Sequence, residues 1–143
     1  MMRIAALAAI CVAGPACATH ELDARDLQNG QAVYAESCAM CHGAALEGQP
    51  DWQIPNADGS LPAPPHDETG HTWHHSNAQN FDYVKYGGAQ LMKRLNVTDF
   101  TSGMPGFGDT LSDDDIWDVL AYIRSQWPEE IQIMQAGRNP PHE

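Results

Sequence analysis

Apolar and polar positions alternate with a helical period in some stretches of this 143-residue chain and with no period in others. Asp26 to Cys38, "DLQNGQAVYAESC", reads as an amphipathic helix with Leu27, Val33 and Tyr34 as its apolar contacts. Gly30 is a notch in it, where a missing Cβ lets another helix approach closely. The best-marked element lies near the end. Ser112 is an N-cap, and Asp113, Asp114 and Asp115 fill the first turn, where the helix dipole favours negative charge. Ile116, Val119, Leu120, Ile123 and Trp127 then form one apolar stripe. Pro128 ends that helix and opens a short one through "EEIQIMQAG", closed at Gly137. Between these, Asn77 to Tyr86 predicts a short helix ending at Gly87-Gly88, and Gln90 to Asn96 another turn or two. Residues 43–76 have no period and are rich in Gly, Pro, Asn, Asp and His, which predicts a long irregular loop that wraps something. No segment alternates like a strand, so the expected fold class is all-α.

The first residues belong to a different pattern. Arg3 is followed by an apolar run from Ile4 to Gly14 and small residues around Cys17, the shape of a secretory signal peptide over residues 1–18. The run is too short for a permanent membrane span. Cleavage after Ala18 removes Cys11 and Cys17 and leaves Cys38 and Cys41 as the cysteines of the exported chain. The competing reading is a lipoprotein signal ending before Cys17, which would anchor the chain to a membrane on the periplasmic side. The expected organisation is therefore a signal segment, a domain over 24–127, and a C-terminal extension over 128–143 with a short helix.

Charge narrows the partners. The net charge of −12 and the sparse cations, Arg25, Lys85, Lys93, Arg94, Arg124 and Arg138 after the signal segment, exclude a nucleic-acid-binding face. An acidic body suits solubility, or encounter with basic protein surfaces.

Chemistry concentrates in Cys38-Ala39-Met40-Cys41-His42. A thioredoxin-like redox pair needs a preceding strand, and none is predicted. Structural zinc takes four ligands, and no second Cys pair exists to supply them. The remaining reading is covalent haem attachment through both thiols, with the next residue, His42, placed to bind the iron. A haem iron has a second face, and a thioether there suits electron transfer because Met/His ligation raises the potential. Met40 lies inside the attachment turn, while Met92 and Met134 fall in helical segments at core-packing spacings. Met104 sits in the Gly/Pro loop "TSGMPGFGD", 62 residues after His42, and is the candidate sixth ligand.

With those residues in view, the chain from Gly30 to about Trp127 resembles the class I c-type cytochromes. The resemblance is carried by "GQAVYAESCAMCHG", "MPGFGDTLSDDDIWDVLAYI" and their order. It implies a small all-α, cytochrome c-like fold, in which the first and last helices cross over the haem pocket. It places Gly30 and Tyr34 against Val119, Tyr122 and Ile123. It also implies one covalent haem c, transient redox protein partners, and a proline-adjacent carbonyl facing the proximal imidazole, for which Pro64 and Pro65 are the candidates. The chain departs from the shortest members in its longer span from His42 to Pro64.

A second departure is "HDETGHTWHHSN". Its imidazoles, His66, His71, His74 and His75, are candidates for a secondary copper or zinc site or for a haem propionate contact, against the plainer reading of a polar loop. Trp52 and Trp73 offer indole N–H groups for the same propionate role. The functional expectation is an exported electron carrier rather than an enzyme. The alternatives are a metal-handling or sensor protein using the histidines, and a subunit of a larger oxidoreductase.

Overall fold

A computed structural model describes residues 20–140. The signal segment over 1–18, with Cys17, lies outside the described residues. The described chain is helix and loop, without a strand among those residues. Its elements are α1 (Leu27–Val33), a π turn (Tyr34–Cys38), α2 (Ala39–His42), a 3₁₀ turn (Thr72–His74), α3 (Asn77–Tyr86), α4 (Gly88–Arg94), α5 (Asp113–Ser125) and α6 (Glu129–Ala136). The helix expected to end at Cys38 thus continues to His42, through a turn that holds one residue more than an α turn. That extra residue rotates the face presented after Tyr34.

Asp26 caps α1 by accepting from the backbone N–H groups of Gln28 and Asn29. The same end is tied to the start of α5. Asn29 Nδ2 donates to Asp115 Oδ1 and Asp118 Oδ2, both at 3.0 Å, and the Asp26 N–H donates to Asp118 Oδ1. Asp118 is buried, and these donors satisfy it. Ser112 and Asp115 close a capping box on α5.

Helices α1 and α5 meet at the notch. A Cβ on Gly30 would fall 2.1 Å from the Asp118 carbonyl oxygen and 2.9 Å from Tyr122 Cβ. Only glycine permits that approach. All five stripe residues are buried, four of them on α5 and Trp127 just past its end, in two clusters. Val119, Ile123 and Trp127 pack with Val33, Tyr34 and Leu46. Ile116 and Leu120 pack with Leu22 and Ala121, against Phe81 and Val84 of α3.

Helix α6 packs onto the segment that carries the histidines. Gln135, fully buried, donates to Asn77 Oδ1 at 2.7 Å and to the His75 carbonyl at 3.2 Å. Asn139 Oδ1 accepts from the Asn77 N–H at 2.7 Å. The inward face of α6 therefore meets polar backbone and takes a glutamine, while Met134 turns outward, contrary to its expected core role.

Gly30→Ala should destabilise the fold by about 1–3 kcal/mol, because the added methyl forces α1 off α5. Denaturant unfolding of the haem-loaded protein measures this; an unchanged midpoint would show that the helices part without cost.

Candidate functional site

The π turn and α2 deliver Cys38, Cys41 and His42 on the last turns of one helical rod, stopped by Gly43 at φ 82°. Tyr34 fixes the end of that rod from below. Its hydroxyl donates to the Gly43 carbonyl at 2.9 Å, and its ring packs on Tyr122 of α5. Cys38 is half-buried and Cys41 exposed. Burial, and then the neighbouring Cys41, push the Cys38 thiol up to about 11. A redox-active thiol is pushed the other way, so Cys38 is not activated as a nucleophile.

His42 is buried. Its Nδ1 lies 2.8 Å from the Pro64 carbonyl oxygen, an acceptor that holds the proton on Nδ1 and leaves the Nε2 lone pair free. Burial lowers its pKa, and the Pro64 bond opposes that shift only in part. A neutral imidazole with a free Nε2, beside two thiols, is a donor set that fits a covalently attached haem.

The long loop reaches Pro64 by a closed excursion. The Gln49 N–H donates to the Ala63 carbonyl at 2.9 Å, so residues 50–62 leave and return at one point. Gly48, at φ 69°, lies under Pro65, where a Cβ would come 2.4 Å from the Pro65 nitrogen. Added length between His42 and Pro64 is thus spent away from the Pro64 contact. The excursion contains Trp52, partly buried, and its tip at Gly59 approaches Thr101 of the loop before Met104.

Met104 is partly buried in a segment laid along the junction of α3 and α4. Its carbonyl accepts from the Gly88 N–H at 3.3 Å, Phe107 N–H donates to the Val84 carbonyl at 2.9 Å, and Gly108 N–H to the Lys85 carbonyl at 3.0 Å. Gly87 and Gly106 allow this backbone-on-backbone contact: a Cβ on Gly87 would lie 2.5 Å from the Gly106 nitrogen. A concavity of about 460 Å³ on this side, with Tyr86, Arg94 and Gly106 among its walls, is lined by none of Cys38, Cys41, His42 and Met104. The chemistry of the cysteines and histidine, rather than cavity size, marks the site.

The four loop histidines do not form one group. His66 stacks on the His42 ring, with centroids 4.0 Å apart, and its Nδ1 lies 2.6 Å from Thr72 Oγ1. Burial, and then His42, hold it well below the ordinary imidazole range. His71 contacts His74 and His75, with centroids 5.2 Å and 4.7 Å away. Among the described residues no group of three or more His, Cys, Asp or Glu is placed to hold a metal ion. Only Thr72–His74 is helical here, so His71 and His75 do not share a helix face. Trp73 stacks on His74, and its indole N–H donates to the Glu68 carbonyl at 3.2 Å. The stacking of His66 on His42 went unseen in the sequence, where His66 reads as one more member of the cluster.

The sequence profile of cytochrome c matches residues 27–127. The chain belongs to the cytochrome c family. Its cofactor is therefore covalently bound haem c, its role is haem-based electron transfer with redox partners, and its all-helical fold is the family's. The thiosulfate dehydrogenase of Stutzerimonas stutzeri (strain A1501) is 32% identical over 116 residues, which cover 78% of this chain and 31% of that protein. The chain thus spans less than a third of that relative's length. No solved structure matches this cytochrome. No helix among its described residues is long and apolar enough to cross a membrane.

His71 and His75 both lie below the ordinary 6.5, through burial first and then neighbouring imidazoles, with Arg138 also acting on His75. The folded state therefore binds these protons less readily than the unfolded chain, and stability should fall as pH drops below 6.5. The denaturation midpoint is expected to be lower at pH 5 than at pH 7.5. His71→Gln with His75→Gln should shrink that difference, leaving the part that His66 supplies; an equal difference in the variant would remove these two as its source.

Proposed function

We propose that this chain is an exported mono-haem cytochrome that passes single electrons between protein partners, with Cys38 and Cys41 as the thioether attachments and His42 and Met104 as the axial ligands. The observation that carries the reading is the buried His42 imidazole, held at Nδ1 by Pro64 directly after the cysteine pair. The chain contains one Cys-x-x-Cys-His sequence, which supports a single haem.

The haem supplies one-electron chemistry at its iron. The protein's part is to keep the ligands still and the environment dry. Pro64 accepts from His42 and raises its donor strength. The backbone contacts at Gly87, Gly88 and Gly106 hold the Met104 loop against α3 and α4. A thioether there favours the reduced iron and leaves no open position for catalysis. The acidic surface suits brief contact with basic docking faces. Residues 1–18 would direct export to the periplasm, with lipidation at Cys17 as the membrane-anchored variant, and residues 24–127 and 128–143 would remain as domain and extension.

The relative in S. stutzeri favours a second reading, a haem module coupled to thiosulfate oxidation. Mixing thiosulfate with the ferric protein separates the two. Saturable reduction of the haem would make this chain part of such chemistry, whereas no reduction leaves the carrier.

Optical spectra of the protein matured with haem test the main reading. The expected result is a low-spin ferrous form unaffected by carbon monoxide; a high-spin form that binds it would overturn the ligand pair. Cys38→Ala with Cys41→Ala should abolish covalent attachment, and haem surviving acid–acetone extraction in that variant would contradict it. Met104→Ala should lower the midpoint potential and admit carbon monoxide. Both properties unchanged would assign the sixth position to another residue.

A further inference from the structure

We propose that His66 is a positioning residue for His42: its ring, stacked on one imidazole face, fixes the plane in which the His42 ring lies. The proposal rests on the reading of His42 as an iron ligand.

The bond from Nδ1 to Pro64 restrains the His42 plane from one edge, since turning the ring about its Cβ–Cγ bond carries Nδ1 away from the carbonyl oxygen. The terminal torsion of histidine is broad and hydrogen-bond angles are tolerant, so the ring can still rock while keeping that bond. A flat group against the ring face narrows the rocking. His66 is such a group, with its ring centroid 4.0 Å from that of His42 and an interplanar angle of 26°. It comes from the same short stretch, Pro64-Pro65-His66, that supplies the hydrogen bond. One tripeptide therefore restrains His42 at both its edge and its face.

His66 itself is held on every side. Its backbone N–H donates to the Leu46 carbonyl at 2.8 Å, and its carbonyl accepts from Trp127 Nε1 at 2.7 Å. Leu46 is buried at φ 65°, a left-handed conformation that costs a non-glycine residue energy and persists where the surroundings demand it. The ring of His66 is anchored at its edge by Thr72 Oγ1, at 2.6 Å, and meets the Tyr34 ring at 6.2 Å and 74°. Behind it the loop doubles back so tightly that a Cβ on Gly70 would lie 2.0 Å from the Pro65 carbonyl oxygen. An aliphatic side chain would fill the same volume but would offer neither a flat face to His42 nor an edge to Thr72. The geometry calls for an aromatic ring with a polar edge, and that is what the sequence places there.

The plane of an axial imidazole decides which iron d orbital its π system meets. That choice shows in the ferric electron paramagnetic resonance anisotropy and in the order of the hyperfine-shifted haem methyl resonances, which filling a core does not by itself control. The experiment reads both signals, with the midpoint potential, on haem-loaded wild type, His66→Leu and His66→Phe. His66→Leu should keep covalent haem and low-spin absorption while reordering the methyl resonances and shifting the g values and the potential. His66→Phe, which keeps a flat face, should stay close to wild type in the methyl order. Wild-type signals in His66→Leu would overturn the proposal, as would equal changes in the leucine and phenylalanine variants. If His66→Leu yields no haem-loaded protein, Thr72→Val takes its place. It frees the ring from its hydroxyl anchor, and the same signals should move in the same sense by a smaller amount; wild-type signals there overturn the proposal. The ligand reading fails separately, through a His42→Ala variant that keeps the wild-type low-spin spectrum.

Discussion

Everything in this molecule is placed relative to one backbone contact, the approach of α1 to the Asp118 carbonyl at Gly30. A side chain there would hold the helices apart by more than any neighbour could absorb, since the opposing atoms are main chain. Because the contact is so close, the apolar stripe of α5 reaches Val33 and Tyr34 on one flank and α3 on the other. The buried Asp118 carboxylate then serves as an acceptor for the start of α1, which converts a burial cost into a register lock. Packing and polar satisfaction specify the same arrangement, which is the consistency expected of a sequence with one native state.

From that crossing the influence runs to the candidate ligands through two routes. Tyr34, seated on α5, carries it along the rod to the Gly43 carbonyl and hence to His42. Trp127, two residues past the end of α5, carries it across to the His66 carbonyl, and so to the tripeptide that touches the His42 edge and face. Helix α6 supports the second route through Gln132, whose Nε2 donates to the Trp127 carbonyl at 2.9 Å. An electron carrier needs its ligands to stay put when the iron changes charge. In this fold the candidate proximal histidine is referred twice to α5 and the turn that follows it.

Much of this was legible in the sequence because it depends on local pattern. Ser112 followed by three aspartates, the stripe from Ile116 to Trp127, the notch at Gly30 and the cysteine–histidine motif each carry their physics within a few residues. The π turn was not legible, since the difference between four and five residues in one turn leaves no mark on the spacing of Val33, Tyr34 and Cys38. The histidine loop was misleading for a related reason. Closeness in sequence grouped His66 with His71, His74 and His75, whereas the turn around Gly70 sends His66 under His42 and leaves the others by Trp73. Met134 likewise looked like core from its helix spacing. Which face of α6 turns inward was decided by polar backbone at His75 that no local pattern announces.

The long span between His42 and Pro64 shows how a close contact tolerates a long loop. Loop closure costs grow only slowly with length, so an excursion is tolerated when its ends are pinned together. Here the Gln49 to Ala63 bond pins them, and Gly48, lacking a Cβ, lets the returning Pro64-Pro65 backbone pack directly on it. Whatever residues 50–62 do, Pro64 arrives at His42 from the same fixed base. The freedom left to the excursion is spent on the other side, where Gly59 comes to Thr101 just before the Met104 segment. The excursion therefore leaves the Pro64 contact alone and passes beside the loop bearing the candidate distal ligand, which is held in its own right by backbone hydrogen bonds to α3 and α4.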